Sequence, residues 1–499
     1  MRTSAVLSAR PALARLLTTT MTALPGDLKV SDHLLSVPLD HAKPDGPQLS
    51  LFVRELVTAS KANEDLPCLL YLQGGPGFPS KRPTCPPSGW SKHALAKHRV
   101  LLLDQRGTGR STPVPTKQLM ALPGGAEAQA EYLTHFRADS IVRDCEIVRE
   151  KLAGGKQLTL LGQSFGGFCI LTYLSLFPEA IERALFTFGL APVGRSADEV
   201  YGATYVRMAE RNRRFYRRYP QDVELVRTIV AGLHAAPAEL PRGGTLTARR
   251  FLQLGLLLGQ ASGMETLHNL LELARPTSAD DLHALPPSSG EGGGVDLPDI
   301  FLLEVEAAQQ DFETNPIYWL LHEAIYVDGG GGGAPGSGGE PATEAEAEAA
   351  RLRLGAPSAW SAERVQASLG DEWDYTTRLA AGGAPVQLTG EMVYSWMGDD
   401  YAWLRALKPA AELLAAKHDW GALYDAAALS RGTAPVAALV SYEDVYVERA
   451  FSEATAALLG ERAALWITNE FQHSGLKDEP QAVFERLLAM SKGELAIPS

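Results

Sequence analysis

Five residues, Gly162-Gln163-Ser164-Phe165-Gly166, constrain this chain more than any others. They follow the apolar run Leu158-Thr159-Leu160-Leu161 and lead into Phe168 to Phe177, which continues without a breaker until Pro178. A strand that turns directly into a helix holds its middle residue in a strained conformation with the side chain exposed. Glycine two positions to either side lets the two backbones pack that closely. Ser164 is therefore the candidate nucleophile. In a chain with 47 glycines the same pattern also arises as an ordinary turn, so the surroundings decide.

The surroundings alternate strand and helix. Gln48 to Val57, Pro67 to Leu72 and Val100 to Leu103 have strand character, and Ile141, Val142, Cys145, Val148 and Leu152 recur at helical spacing within Asp139 to Leu152. This is an α/β order with a crossover helix before the serine-bearing strand. Tyr71-Leu72-Gln73-Gly74-Gly75-Pro76-Gly77 ends the second strand, where a backbone N–H can reach a tetrahedral oxyanion. The expected donors are Gly75 and Phe165. A dinucleotide-binding loop would run straight into a helix, whereas Pro76, Pro79, Pro83, Pro86 and Pro87 follow here.

A serine nucleophile needs a base and an orienting acid. The late strand Pro435 to Val440 ends in Ser441-Tyr442-Glu443-Asp444, and a carboxylate at the carboxyl end of a parallel strand lies at the ligand edge of the sheet. Asp444 is the expected acid, with Glu443 left open beside it. Glu448 to Leu459 and Ala463 to Ile467 supply one more helix and strand, and His473 follows in Glu470-Phe471-Gln472-His473-Ser474-Gly475. The order Ser, Asp, His is that of an α/β-hydrolase.

Gln73-Gly74-Gly75-Pro76-Gly77, Asp104-Gln105-Arg106-Gly107-Thr108-Gly109-Arg110-Ser111 and Gly162 to Gly167 resemble the three signatures of the prolyl aminopeptidase (proline iminopeptidase) family of serine peptidases. The resemblance runs from about Asp32 into the C-terminal region, taking in Asn315-Pro316-Ile317-Tyr318 and Phe471 to Leu476. The family usually has histidine where this chain has Gln73, which bears on how the loop is anchored. The resemblance implies an α/β-hydrolase fold and removal of an N-terminal residue, typically proline, with the free amine read by acidic side chains of a cap. It implies no metal and no cofactor.

The long interval between Ser164 and Asp444 predicts that cap, inserted before the acid and mainly helical: Glu199 to Tyr219, Thr247 to Gln260, Met264 to Ala274 and Asn315 to Tyr326. The expected division is core 27–194, cap 195–402 and core 403–499. Glu323 and Glu391 stand among aromatic residues, and a carboxylate in apolar surroundings needs a cation. An incoming ammonium would serve, so both are expected amine anchors. Asp104 and Arg106 read as organisers of the site's floor.

Composition excludes several classes. A net charge of −13 argues against nucleic acid and anionic membranes. No apolar run is long enough to span a bilayer. Cys68, Cys85, Cys145 and Cys169 have neither metal-like nor disulfide-framework spacing, and His322-Glu323 lacks the second histidine of a zinc-protease helix. Gly/Pro/Ser-rich insertions are expected at 286–295 and 328–350 within the cap, the second continuing from a glycine run into an Ala/Glu-rich helix.

Residues 1–26 carry Arg2, Arg10 and Arg15 and no acid, as in a transit peptide of a mitochondrion or plastid; a start at Met21 would instead leave a cytoplasmic protein. No core strand is expected before Leu28. The same residues are compatible with an esterase or amidase acting on small acyl substrates, or with a catalytically silent binding protein. Peptides with a free N-terminus are the expected partners.

Overall fold

The computed structural model describes residues 16–276, 281–289, 293–329 and 354–495. A nine-stranded sheet runs β1 (Leu16–Leu24), β2 (Leu28–Pro38), β3 (Gln48–Thr58), β5 (Arg99–Asp104), β4 (Cys68–Leu72), β6 (Leu158–Gln163), β7 (Ile181–Thr187), β12 (Val436–Ser441) and β13 (Ala463–Thr468). Strands β8 (Ala238–Glu239) with β9 (Thr245–Leu246), and β10 (Ser288–Ser289) with β11 (Gly294–Val295), form two small ribbons outside it. The first strands pair antiparallel, and from β5 through β13 every pairing is parallel.

The central strands read as continuous apolar runs because helices cover both faces. All five residues of β4, all six of β12 and the first five of β6 are buried. Helix Phe165–Leu176 is buried along nearly its whole length, as the unbroken apolar run from Phe168 predicts. The amphipathic helix Ala138–Leu152 packs against it. Sequence and structure agree on these elements to within a few residues.

Two strands extend the sheet beyond the sequence reading. β2 has eleven residues, and β1 pairs with it from Leu16 to Leu24. The expectation that no core strand precedes Leu28 is corrected for 16–24, which join the main sheet. The Thr18–Thr22 stretch is exposed, so this edge strand lacks the alternating apolar face by which strands are read.

Between β7 and β12 the described residues are mostly helical. Helix Ala197–Arg218 begins on a capping box in which Ser196 and Glu199 satisfy each other's backbone N–H groups. The expected helix Thr247 to Gln260 is Ala248–Leu252 followed by a 3₁₀ stretch, Gln253–Gly259. Gly255 and Gly259 let this stretch pack closely on its neighbours: a Cβ at Gly255 would lie 2.2 Å from the Thr389 carbonyl oxygen, and one at Gly259 2.0 Å from the Tyr446 ring. The expected glycine-rich insertion at 328–350 lies outside the described residues from 330 onward. The insertion at 286–295 includes the ribbon β10–β11.

Candidate active site

Ser164 sits between β6 and helix Phe165–Leu176 with φ 53° and ψ −126°. The conformation is held by close backbone contacts that only glycine permits. A Cβ at Gly166 would lie 2.0 Å from the Leu72 carbonyl oxygen, and one at Gly162 2.6 Å from the carbonyl carbon of Gly166. The Ser164 N–H donates to the Thr187 carbonyl at 2.9 Å, fixing the turn to β7. Strain of this kind persists where the surroundings over-determine it. Ser164 itself is only half-buried.

Asp444 follows β12 and is 2% exposed. Its Oδ1 accepts from the N–H groups of Tyr446 at 2.8 Å and Val447 at 3.1 Å. Oδ2 accepts from Nδ1 of His473 at 2.8 Å. Glu443 is occupied elsewhere, its two oxygens held by the Arg214 guanidinium. Of the two acids left open by the sequence, Asp444 bonds His473 and Glu443 bonds a residue of the cap.

His473 lies between two aromatic rings, Tyr446 at 4.9 Å and Phe188 at 5.5 Å. Its N–H donates to the Gly259 carbonyl at 3.0 Å, and its carbonyl accepts from Gln163 Nε2 at 3.1 Å. The loop is thereby tied to both the cap and the serine turn. Nε2 is buried and has no hydrogen-bond partner among the described residues, so the bond to Ser164 is not formed in this structure. Catalytic hydrogen bonds often tighten only when substrate is bound. Burial pushes the His473 pKa down, but the charge and hydrogen bond of Asp444, with Glu391 adding, carry it above its ordinary value.

The loop after β4 closes over the serine. A Cβ at Gly74 would come within 2.8 Å of both Ser164 Cβ and the Gln163 carbonyl oxygen. Gly74 is the contact that sequence reasoning missed, since a glycine run does not say which member touches the turn. Gly75 has φ 135°, and a Cβ there would meet the Phe78 ring at 2.6 Å. Phe165 is the first residue of its helix, where an N–H has no acceptor inside the helix. Gln73 is held through both side chain and backbone: Tyr71 Oη donates to its side-chain Oε1 at 2.9 Å, and Gln105 Nε2 donates to its main-chain carbonyl at 3.0 Å.

Asp104 and Arg106, expected as organisers of the site's floor, make structural bonds. Asp104 accepts from the N–H of Ser80 at 3.2 Å and of Arg110 at 2.8 Å, and pairs with Arg82. Arg106 forms a buried fork with Asp144, at 2.6 and 2.7 Å.

The two expected amine anchors have different surroundings. Glu391 accepts from Tyr318 Oη at 2.7 Å, and its charge acts on both His473 and Asp444. Desolvation raises its carboxyl to about 7, against smaller opposing contributions from His473 and Tyr318. Glu323 is 5% exposed. One oxygen accepts from the N–H of Ala362 at 3.0 Å, at the start of helix Ser361–Ser368. Its other oxygen, Oε2, has no hydrogen-bond partner among the described residues; burial raises this carboxyl to about 7 as well, against smaller opposing contributions from Ala362, Ser358, Ser361 and Arg364. Both acids lie within electrostatic reach of Tyr201 and Tyr326. The Tyr201 hydroxyl and both ring nitrogens of His322 are also buried without partners among the described residues, and His322 packs 4.8 Å from the Tyr318 ring. Both carboxyls thus stand in an aromatic nest that also contains buried polar atoms.

Comparison with known proteins places the fold and the family. Residues 67–226 match the family model of the alpha/beta hydrolase fold. A proline iminopeptidase of Aspergillus aculeatus is 32% identical over 478 residues, covering 94% of this chain and 95% of the relative. A proline iminopeptidase of Aeromonas sobria is 42% identical over 461 residues, covering 92% of this chain and 96% of the relative. Identity sustained over so much of both sequences, on the sheet and serine turn described above, means that the chain belongs to the proline iminopeptidase family of α/β-hydrolases.

Proposed function

We propose that this enzyme is a serine aminopeptidase that releases an N-terminal residue, proline, from peptides through an acyl-enzyme. The observation that carries the reading is the raised carboxyl of half-buried Glu391, which acts on the Asp444–His473 pair, with the buried Glu323 beyond it in the same cluster of tyrosines. Ser164 Oγ attacks the prolyl carbonyl as His473 Nε2 takes its proton, and Asp444 holds the imidazolium. The N–H groups of Gly75 and Phe165 stabilise the oxyanion. His473 then returns the proton to the departing amine, and water releases the free amino acid.

The substrate's ammonium pairs with Glu391 and Glu323, neither of which forms an ion pair among the described residues, while Tyr318 and Tyr326 flank the pyrrolidine ring. A blocked amine leaves both acids without that partner, so N-acetylated substrates are rejected. The nucleophile comes from a side chain, and chelation by EDTA should leave turnover unchanged. Initial rates on a panel of aminoacyl-naphthylamides test the assignment. Prolyl-naphthylamide should lead, with its N-acetyl derivative at least 100-fold slower by the rule for sites built to bind a polar group (about 10²-fold or more). Faster cleavage of the acetylated form, or of a simple ester alone, would replace the aminopeptidase by an esterase or amidase.

No helix among the described residues is long and apolar enough to cross a membrane. The acid-free, arginine-bearing segment 1–26 supports import into a mitochondrion or plastid. A fluorescent protein fused behind that segment should enter the organelle; a diffuse cytoplasmic signal would refute import.

A further inference from the structure

A groove of about 510 Å³ runs outward from His473 and Gln163, between the loop after β4 and the short helix Gly475–Asp478. Glu323, Glu391, Tyr318 and Tyr326 do not line it. With the N-terminal residue held in that nest, the groove is left for the departing part of the peptide.

Its charge is unusual for this chain. Lys81, Arg82 and Lys477 line it, and no aspartate or glutamate does among the described residues, although the net charge of the protein is −13. Arg82 is committed to the buried Asp104. The two lysines are exposed, and among the described residues neither forms an ion pair. Lys477 Nζ reaches only Gln260 Oε1, at 3.5 Å, and Lys81 feels Asp311 through its field alone. Trp90, 4.8 Å from the Tyr71 ring, gives the groove an apolar wall.

Lys477 lies four residues after His473, on the short helix Gly475–Asp478, and both residues line the groove. A peptide advances about 3.5 Å per residue. A carboxylate that ends one or two residues beyond the scissile bond, in a groove that starts at His473, therefore comes within reach of the two ammonium groups. Resting on the aminopeptidase reading above, we propose that Lys477 and Lys81 bind the C-terminal carboxylate of the substrate, so that prolyl dipeptides and tripeptides with a free C-terminus are the preferred substrate class.

The test compares kcat/KM for prolyl-leucine and prolyl-leucinamide at low salt, in the wild type and in Lys81→Met, Lys477→Met and the double variant. Methionine retains most of the apolar stem without the charge. Two exposed pairs support about a tenfold preference for the free acid, and salt should erode it. The preference should shrink in each single variant and vanish in the double one. A structural defect would lower both substrates together and leave the ratio in place, which would overturn the proposal, as would equal rates in the wild type. Wild-type cleavage of prolyl-naphthylamide reports separately on the aminopeptidase reading. Cleavage without any free-acid preference discards the groove alone; no cleavage discards both.

Discussion

Asp444 accepts three hydrogen bonds, two from its own backbone turn and one from His473 Nδ1 at 2.8 Å, so its carboxylate is held before it orients the imidazole. The backbone bonds fix the acid and the acid fixes the tautomer, which leaves Nε2 as the basic nitrogen. Ser164→Ala, His473→Ala and Asp444→Asn should each lower kcat by about 10³-fold or more. Glu443→Gln should stay within a few-fold of the wild type, because Glu443 is bound to Arg214. Steady-state kinetics on prolyl-naphthylamide decides between the two acids.

The pH profile follows from the direction of the His473 shift. Its folded pKa is raised above 6.5, and the general base works only when neutral. Activity should therefore be full above that raised value and be lost as pH falls through it, giving kcat/KM an acid limb above pH 6.5. Glu391, at about 7, titrates in the same range, so the limb belongs to the coupled pair. In Glu391→Gln the residual activity should show a lower midpoint, since one source of the upward shift is gone. An unmoved limb would detach Glu391 from His473.

Glu391 also sets a cost in stability. Its folded value of about 7 exceeds the ordinary 4.5, so the folded state binds this proton more tightly. The associated stability is fully present below pH 4.5 and is lost as pH rises through about 7. Glu391→Gln should accordingly stabilise the free enzyme at pH 8, by about 1–3 kcal/mol at the usual conversion of pKa shifts. Denaturant midpoints at pH 5 and pH 8 measure it, and equal effects at the two values would contradict the electrostatic origin.

Gly74 offers a steric test. Gly74→Ala puts a methyl group 2.8 Å from Ser164 Cβ and from a main-chain oxygen that cannot swing aside. A displacement of this size near reacting atoms costs about 10²-fold in rate. The far-ultraviolet spectrum should be unchanged. Full activity in the variant would mean that the loop tolerates a shift.

What was legible in the sequence was what local sterics and apolar runs encode. The serine turn was readable because Gly162 and Gly166 make contacts that no side chain allows, and the buried parallel strands because they lack polar residues. The choice between Asp444 and Glu443 was not, since it depends on Arg214, which is 229 residues away along the chain. Nor was the difference between Glu323 and Glu391. Both stand among aromatic residues, but only the fold places one carboxylate oxygen at the N-terminus of helix Ser361–Ser368 and the other acid within the field of His473. β1 escaped notice because an exposed edge strand rich in threonine has the composition of a targeting segment.

Removal of residues 1–26 should leave turnover intact, because β1 lies at the sheet edge far in strand order from β6. It uncovers the β2 edge, and an unpaired edge invites association. Sedimentation should show more self-association for the truncated protein, whereas lost activity would tie β1 to the site.

The central claim is that a free amine is read by Glu391 at a serine site. The direct measurement is kcat/KM of Glu391→Gln on prolyl-naphthylamide against a small activated ester that has no amine. Breaking a desolvated charge pair removes about 2–4 kcal/mol of transition-state stabilisation, so the peptide analogue should fall by roughly 30- to 1,000-fold while the ester changes little. An equal fall on both substrates would make Glu391 a structural support, and no fall on either would contradict amine recognition at this residue.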